Sequence, residues 1–229
     1  MNLDVTQTVT VDNLIMDPCP YFCIHNALPE SLYNQLAAEY PEAYMMQDGK
    51  TTFQARRYRQ HEFVEDTISP LWREFIDYHT SQAYKDRVLS LFAPALEKYY
   101  PEYADTLVSA PVTPRHSGVS GAVQMELQFV LNGQQEETVR TIHLDNAKEL
   151  SAGLLYMRKP EDRSTGGDIQ MFKSLVDNPE FTGIREVNPD QVTWAGTVPY
   201  QANTMVLFLN TKDTLHGVTS RTGADCFRR

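Results

Sequence analysis

Hydrophobic and polar positions follow three patterns along the chain. Residues 1–27 alternate and end in the apolar run Pro20-Tyr21-Phe22-Cys23-Ile24-His25, which predicts extended structure. Leu28-Pro29-Glu30-Ser31 then reads as a helix start, with a proline and an acid in the first turn. Leu32, Leu36, Ala37 and Tyr40 recur at helical spacing until Pro41 stops the run. A loop rich in Gln, Asp, Gly, Thr and Arg is expected to about residue 60. From Val64 to Tyr99 the period is again helical, in two pieces: Ile68, Leu71, Trp72, Phe75, Ile76 and His79, then Val88, Leu89, Leu91, Phe92, Leu96 and Tyr99. His79 lies on that stripe and His61 just before it, and both are expected to be structural.

After Pro101 the long helical period gives way to short runs bounded by Gly, Pro, Asn and Asp, the signature of a sandwich or barrel. Val123, Met125, Leu127 and Phe129 alternate with Gln124, Glu126 and Gln128, and Asn132-Gly133 closes the run as a turn. The polar face suits a cavity wall or a solvated surface equally well. Further strands are predicted at Val139–Leu144, Gly153–Arg158, Ile169–Phe172, Thr204–Leu209 and Leu215–Thr219, with a weaker one at 192–194. Gly166-Gly167 serves turn geometry, since no helix start follows to make a phosphate cradle. His116 is expected in a surface loop.

Composition narrows the picture. A length of 229 residues, 41% hydrophobic and 22% charged, fits one globular domain, with residues 1–105 as helical support and 106–229 as a β core. No apolar run approaches a membrane span and no leader pattern opens the chain, so a cytoplasmic protein without membrane attachment is expected. A net charge of −10 argues against nucleic acid as a partner and favours a small or neutral substrate. Cys19, Cys23 and Cys226 lack zinc spacing and are odd in number, so free thiols are expected rather than disulfides or, with His25, a metal site.

The chemistry centres on Thr141-Ile142-His143-Leu144-Asp145-Asn146. On a strand, residues two apart leave the same face, which aims the His143 imidazole and the Asp145 carboxylate together. His216, following an apolar strand and a short polar loop, is the third candidate ligand. Two imidazoles and a carboxylate suit Fe(II) while leaving coordination positions open, the mark of a catalytic centre.

His143-x-Asp145, Leu154-Leu155-Tyr156, Gly166-Gly167-Asp168, His216-Gly217-Val218 and Arg228-Arg229 together resemble the 2-oxoglutarate- and Fe(II)-dependent oxygenases of the prolyl-hydroxylase-like group. The likeness spans roughly residues 120–229, with a further echo from Tyr21-Phe22 to Leu36. It implies a mainly β fold with N-terminal helices, a double-stranded β-helix (jelly-roll, cupin-like) with supporting α-helices. It implies Fe(II) on His143, Asp145 and His216, with 2-oxoglutarate and O2 as cosubstrates and succinate and CO2 as coproducts. Hydroxylation of a small-molecule, sugar-linked or protein side-chain substrate is the activity expected. It further implies an arginine for the far carboxylate of 2-oxoglutarate, which a guanidinium fork meets well. Arg221, Arg228 and Arg229 are the candidates; only one of the last two can enter the barrel, and Arg229 is favoured because the family's basic residue commonly begins a final strand. Tyr156 matches a position whose hydroxyl reaches the same carboxylate. The sequence stops at Arg229, where the resemblance leads one to expect a further apolar strand, so the last sheet is expected to be cut short or completed differently. A cupin-like metal enzyme that does not use 2-oxoglutarate and a non-catalytic jelly-roll binding module are the competing readings. Substrate choice is assigned to the loops 45–60, 132–140 and 174–190.

Overall fold

The computed structural model describes residues 2–51, 54–64, 66–115, 117–133 and 140–229. The N-terminal half comprises strand β1 (Tyr21–His25), helices α1 (Glu30–Ala38) and α2 (Glu42–Met45), strand β2 (Ala55–Arg59), and helices α3 (Pro70–His79), α4 (Gln82–Leu91), α5 (Ala93–Tyr99) and α6 (Ala104–Ser109). The helical stretch after Val64 divides into three rather than two because local capping intervenes. The Ser69 and Ser81 hydroxyls accept the amides of Trp72 and Tyr84, opening α3 and α4, and Pro94 sits in the first turn of α5. The Trp72 indole N–H donates to the Leu36 carbonyl at 3.0 Å, which locks α3 to α1.

The second half is strand-rich: β3 (Val112–Pro114), β4 (Val123–Met125), β5 (Gln128–Asn132), β6 (Arg140–His143), β7 (Ser151–Tyr156), β8 (Ile169–Ser174), β9 (Val192–Val198), β10 (Thr204–Leu209) and β11 (Leu215–Val218). One antiparallel sheet has the order β1-β10-β7 and a second the order β6-β11-β8-β9. Strands β2 and β5 pair antiparallel, and β3 and β4 pair parallel.

Two cores explain this layering. Phe22, Ile24, Met205, Leu207 and Leu209 leave one face of the first sheet and pack on Trp72, Phe75, Leu91 and Phe92 of the helices. Tyr21, Val206, Phe208 and Tyr156 leave its other face and meet Ile169, Met171 and Val198 of the second sheet. Strand β10 is therefore buried on both faces, which is why Thr204-Met205-Val206-Leu207-Phe208-Leu209 is a continuous apolar run rather than an alternating one. Each large side chain so buried contributes about 1.5–3 kcal/mol relative to exposure.

Of the described residues among 1–27, expected to be extended, only Tyr21–His25 forms a strand; the stretch before it holds turns and a 3-10 turn at Val11–Asn13. The alternating run from Val123 to Leu131 is broken between Met125 and Gln128, because β4 pairs with β3 whereas β5 pairs with β2. On that polar face Gln124 is exposed, whereas the Glu126 side chain is buried and its carboxylate accepts Arg115 at 3.1 Å and Gln128 at 2.6 Å. The stretch expected as loop to residue 60 contains β2, whose Arg-rich sequence lacks alternation and is held by its partner. His116, Val139 and most of the loop 132–140 lie outside the described residues.

Candidate metal centre

Strands β6 and β11 place His143 and His216 directly opposite each other, with ring centroids 4.3 Å apart. Both imidazoles are buried. His143 Nδ1 lies 2.7 Å from the Thr141 carbonyl and His216 Nδ1 lies 3.0 Å from the Thr214 carbonyl. A carbonyl can only accept, so each Nδ1 is the donor, and in the neutral ring that tautomer leaves the Nε2 lone pair for a ligand. Those lone pairs converge on Asp145: His143 Nε2 is 3.6 Å from Oδ1 and His216 Nε2 is 3.8 Å from Oδ2. The candidate ligand atoms of all three residues lie within 4.8 Å of one another, close enough for one cation. Phe208 of β10 packs 4.8 Å from the His216 ring and closes the site's floor toward the inter-sheet core.

Residues 185–187 extend the second sheet beyond β6. The Val187 amide donates to the Ile142 carbonyl at 2.9 Å and the Leu144 amide to the Arg185 carbonyl at 3.1 Å, with Glu186 opposite His143. His143 ends β6 and His216 is the second residue of β11, which runs antiparallel to both β6 and β8, so the segment leaving β8 after Ser174 departs from the end of the sheet where the ligands sit. It returns beside His143 and leaves Leu175, Val176, Phe181 and Ile184 exposed on the way.

The three arginines have different positions. Arg228 lies 5.1 Å over the ring of Tyr156 and 4.9 Å over that of Tyr200. The Tyr156 hydroxyl and Arg228 Nε are both buried without a well-aligned hydrogen bond among the described residues, although the Arg228 guanidinium is near enough to the phenol to interact with it. Burial pushes the Tyr156 phenol up, with the Arg228 cation opposing it. Arg229, favoured on sequence, turns the other way: its Nε donates to Glu42 at 2.6 Å and its Nη1 to the Ala37 carbonyl at 3.1 Å. The reason is strand parity. Phe227 joins the helix-side core, so Arg229 shares its side and Arg228 faces the inter-sheet core. Arg221 is fully buried, and its guanidinium donates to Asp162 at 2.8 Å, the Ser164 hydroxyl at 2.7 Å and the Cys226 carbonyl at 2.8 Å. It is thereby committed to holding the 162–164 loop.

Gly166 and Gly167 both take positive φ, +77° and +78°, as the turn reading requires, and a Cβ on Gly166 would overlap the Ser220 carbonyl. Asp168, which follows, accepts the Tyr200 amide at 2.7 Å and so seats one of the two rings beside Arg228. Sequence reasoning missed Asp162, Tyr200 and Asn210. Asp162 and Tyr200 carry no spacing signal, whereas Asn210, a polar residue ending a wholly apolar strand, could have been noticed. Asp162, Asp225 and Cys226 also lie close together, but Asp162 is already neutralised by Arg221. Cys19, Cys23 and Cys226 are free thiols, and burial pushes Cys19 up to about 12. His79 and His61 lie away from the centre: His79 Nδ1 meets the Phe75 carbonyl, and His61 is 3.5 Å from Glu126. Among the described residues, no helix is long and apolar enough to cross a membrane.

No family model matches the chain, and no curated protein matches it. Among solved structures, the chain is similar to a crystal structure of a Pseudomonas putida prolyl-4-hydroxylase, with a TM-score of 0.47 and 15% identity over 96% of this chain and 92% of that one.

Proposed function

We propose that the chain is a single-domain Fe(II)- and 2-oxoglutarate-dependent oxygenase that hydroxylates an unactivated C–H of a small molecule or a protein side chain. The observation that carries this reading is the pair of buried imidazoles, each with Nδ1 tied to a carbonyl and Nε2 turned to one carboxylate. Two nitrogens and an oxygen on one side of a cation form the donor set that suits Fe(II) and leaves positions open. The sheets facing each other across a shared core support the jelly-roll reading, with the centre at one end of the second sheet.

The buried Tyr156 hydroxyl and Arg228 Nε, neither in a well-aligned hydrogen bond among the described residues, support a site for the far carboxylate of 2-oxoglutarate. A buried polar atom left unsatisfied costs about 1–3 kcal/mol, which an anion bonded to both would recover. Arg228 would supply the charge and the fork, Tyr156 a hydroxyl donor, and Tyr200 a ring face against which the planar guanidinium rests. When bound, Fe(II) and 2-oxoglutarate supply the activation of dioxygen, with succinate and CO2 as coproducts. The protein's part is to fix the imidazole tautomers, aim the carboxylate and keep water from the inter-sheet core. Free thiols suit a reducing cytoplasm, and the net charge of −10 suits a substrate other than nucleic acid.

Succinate formation from 2-oxoglutarate tests the proposal. Wild type with Fe(II) is expected to form it, and His143→Ala, Asp145→Ala and His216→Ala to lose it. Fe(II)-independent turnover, or turnover retained in any ligand variant, contradicts the assignment.

A further inference from the structure

Strand β6 ends at His143, so Asp145, unlike the two histidines, lies beyond the strand ladders. Its backbone is held from the N-terminal side by the Leu144 amide on Arg185. From the C-terminal side it is held by a buried residue on another strand connection, Asn210. The Asn210 side-chain amide donates to the Asn146 carbonyl at 2.9 Å and the Glu149 carbonyl at 2.8 Å, and its backbone amide donates to the Leu150 carbonyl at 2.8 Å. Those three acceptors belong to the turn that begins immediately after Asp145, itself closed by Glu149 N–H on the Asn146 carbonyl at 2.8 Å. The Tyr100 hydroxyl donates to the Asn210 carbonyl and braces the clamp against the helical layer.

The same connection orients the distal histidine. Residues Asn210 to Thr214 join β10 to β11, and the Thr214 hydroxyl donates to the Leu209 carbonyl at 2.7 Å. The Thr214 carbonyl in turn faces His216 Nδ1. One short turn thus bears on both Asp145 and His216.

We propose that Asn210 is a positioning residue for Asp145, fixing the carboxylate before a metal arrives; the inference rests on the metal-centre reading above. The side chain fits the role because an amide NH2 has two hydrogens and both have carbonyl acceptors. A leucine of similar size offers neither, leaving two carbonyls to find other partners and the turn free to drift. Groups that orient metal ligands are worth about ten- to a hundredfold in metal affinity.

The test is Ni(II) binding to the full chain by calorimetry, beside thermal unfolding of the metal-free protein. Asn210→Leu is expected to weaken Ni(II) binding about tenfold or more. In an Asp145→Ala background, where the two imidazoles alone hold Ni(II), the same substitution is expected to change affinity by less than about twofold, while any loss of thermal stability persists. Asn210→Ser, which keeps one donor, is expected to fall between wild type and Asn210→Leu and carries the comparison if the leucine variant does not fold. Affinity within about twofold of wild type for both variants, or equal losses in both backgrounds, overturns the positioning role. Wild type that takes up no Ni(II) overturns the metal-centre reading instead.

Discussion

Asn132 and Arg228 exchange both backbone hydrogen bonds, 2.9 Å from the Asn132 amide to the Arg228 carbonyl and 3.2 Å in the reverse direction. This bridge sets the parity of the C-terminal residues and directs Arg228, not Arg229, between Tyr156 and Tyr200. Equilibrium binding of 2-oxoglutarate to the Mn(II)-loaded chain should therefore separate the two. Arg228→Ala is expected to weaken it at least about tenfold, the loss of a charge-assisted carboxylate pair. Arg228→Lys should recover only part, since an ammonium lacks the fork. Arg229→Ala, which breaks the contact with Glu42, should leave binding within about twofold. Equal losses in the two alanine variants would count against the assignment of Arg228.

Arg221 and Asp162 make a different prediction. Their side chains are 2% and 0% exposed and 2.8 Å apart. Burial alone would push the Asp162 carboxyl up, but the Ser164 hydroxyl and amide, with Arg221 and Arg158, hold it below its ordinary range. Arg221→Met is expected to cost about 3 kcal/mol in urea unfolding, because it leaves the buried Asp162 carboxylate with only Arg158, 3.7 Å away, as a cationic partner. Metal affinity should change far less than stability, since the pair is not among the ligands. The carboxyl's depressed folded value means its stabilisation is complete above its unfolded value, about 3.9, and is lost as pH falls through the folded one. A large loss of 2-oxoglutarate affinity in a folded Arg221→Met chain would return Arg221 to the cosubstrate site.

His79 governs a separate acid limb. Burial lowers it to about 4 from 6.5, partly offset by the Phe75 carbonyl and Asp4. The unfolded chain then takes up this proton at higher pH than the folded one, so stability falls as pH drops from about 6.5 toward 4 and levels off below. The group's share of that loss is about 3 kcal/mol. Unfolding free energies of His79→Phe between pH 7 and 4 should show a limb flatter by that amount. An unchanged slope would mean that other groups carry it.

What the sequence made legible follows from how local each feature is. His143 and Asp145 are two apart and His216 follows an apolar strand, and the structure brings their ligand atoms within 4.8 Å of one another, although Asp145 lies beyond β6 and is not placed by strand periodicity. The continuous apolar run of β10 signals burial on both faces without any knowledge of what covers it. The choice between Arg228 and Arg229 depends on pairing with Asn132, nearly a hundred residues away, and no local pattern encodes that parity. Strand β2 was hidden for the same reason, since Ala55-Arg56-Arg57-Tyr58-Arg59 is held by β5 rather than by its own alternation. The pairing of Arg221 with Asp162 is likewise set by a contact far along the chain that no local pattern encodes.

Fe(II) content per chain, measured anaerobically after loading and desalting, tests whether His143, Asp145 and His216 form one metal centre. Wild type is expected to retain about one equivalent, and each of His143→Ala, Asp145→Ala and His216→Ala to lose most of it while keeping the fold. Wild type that retains no Fe(II), or folded alanine variants that retain it in full, would contradict a shared centre.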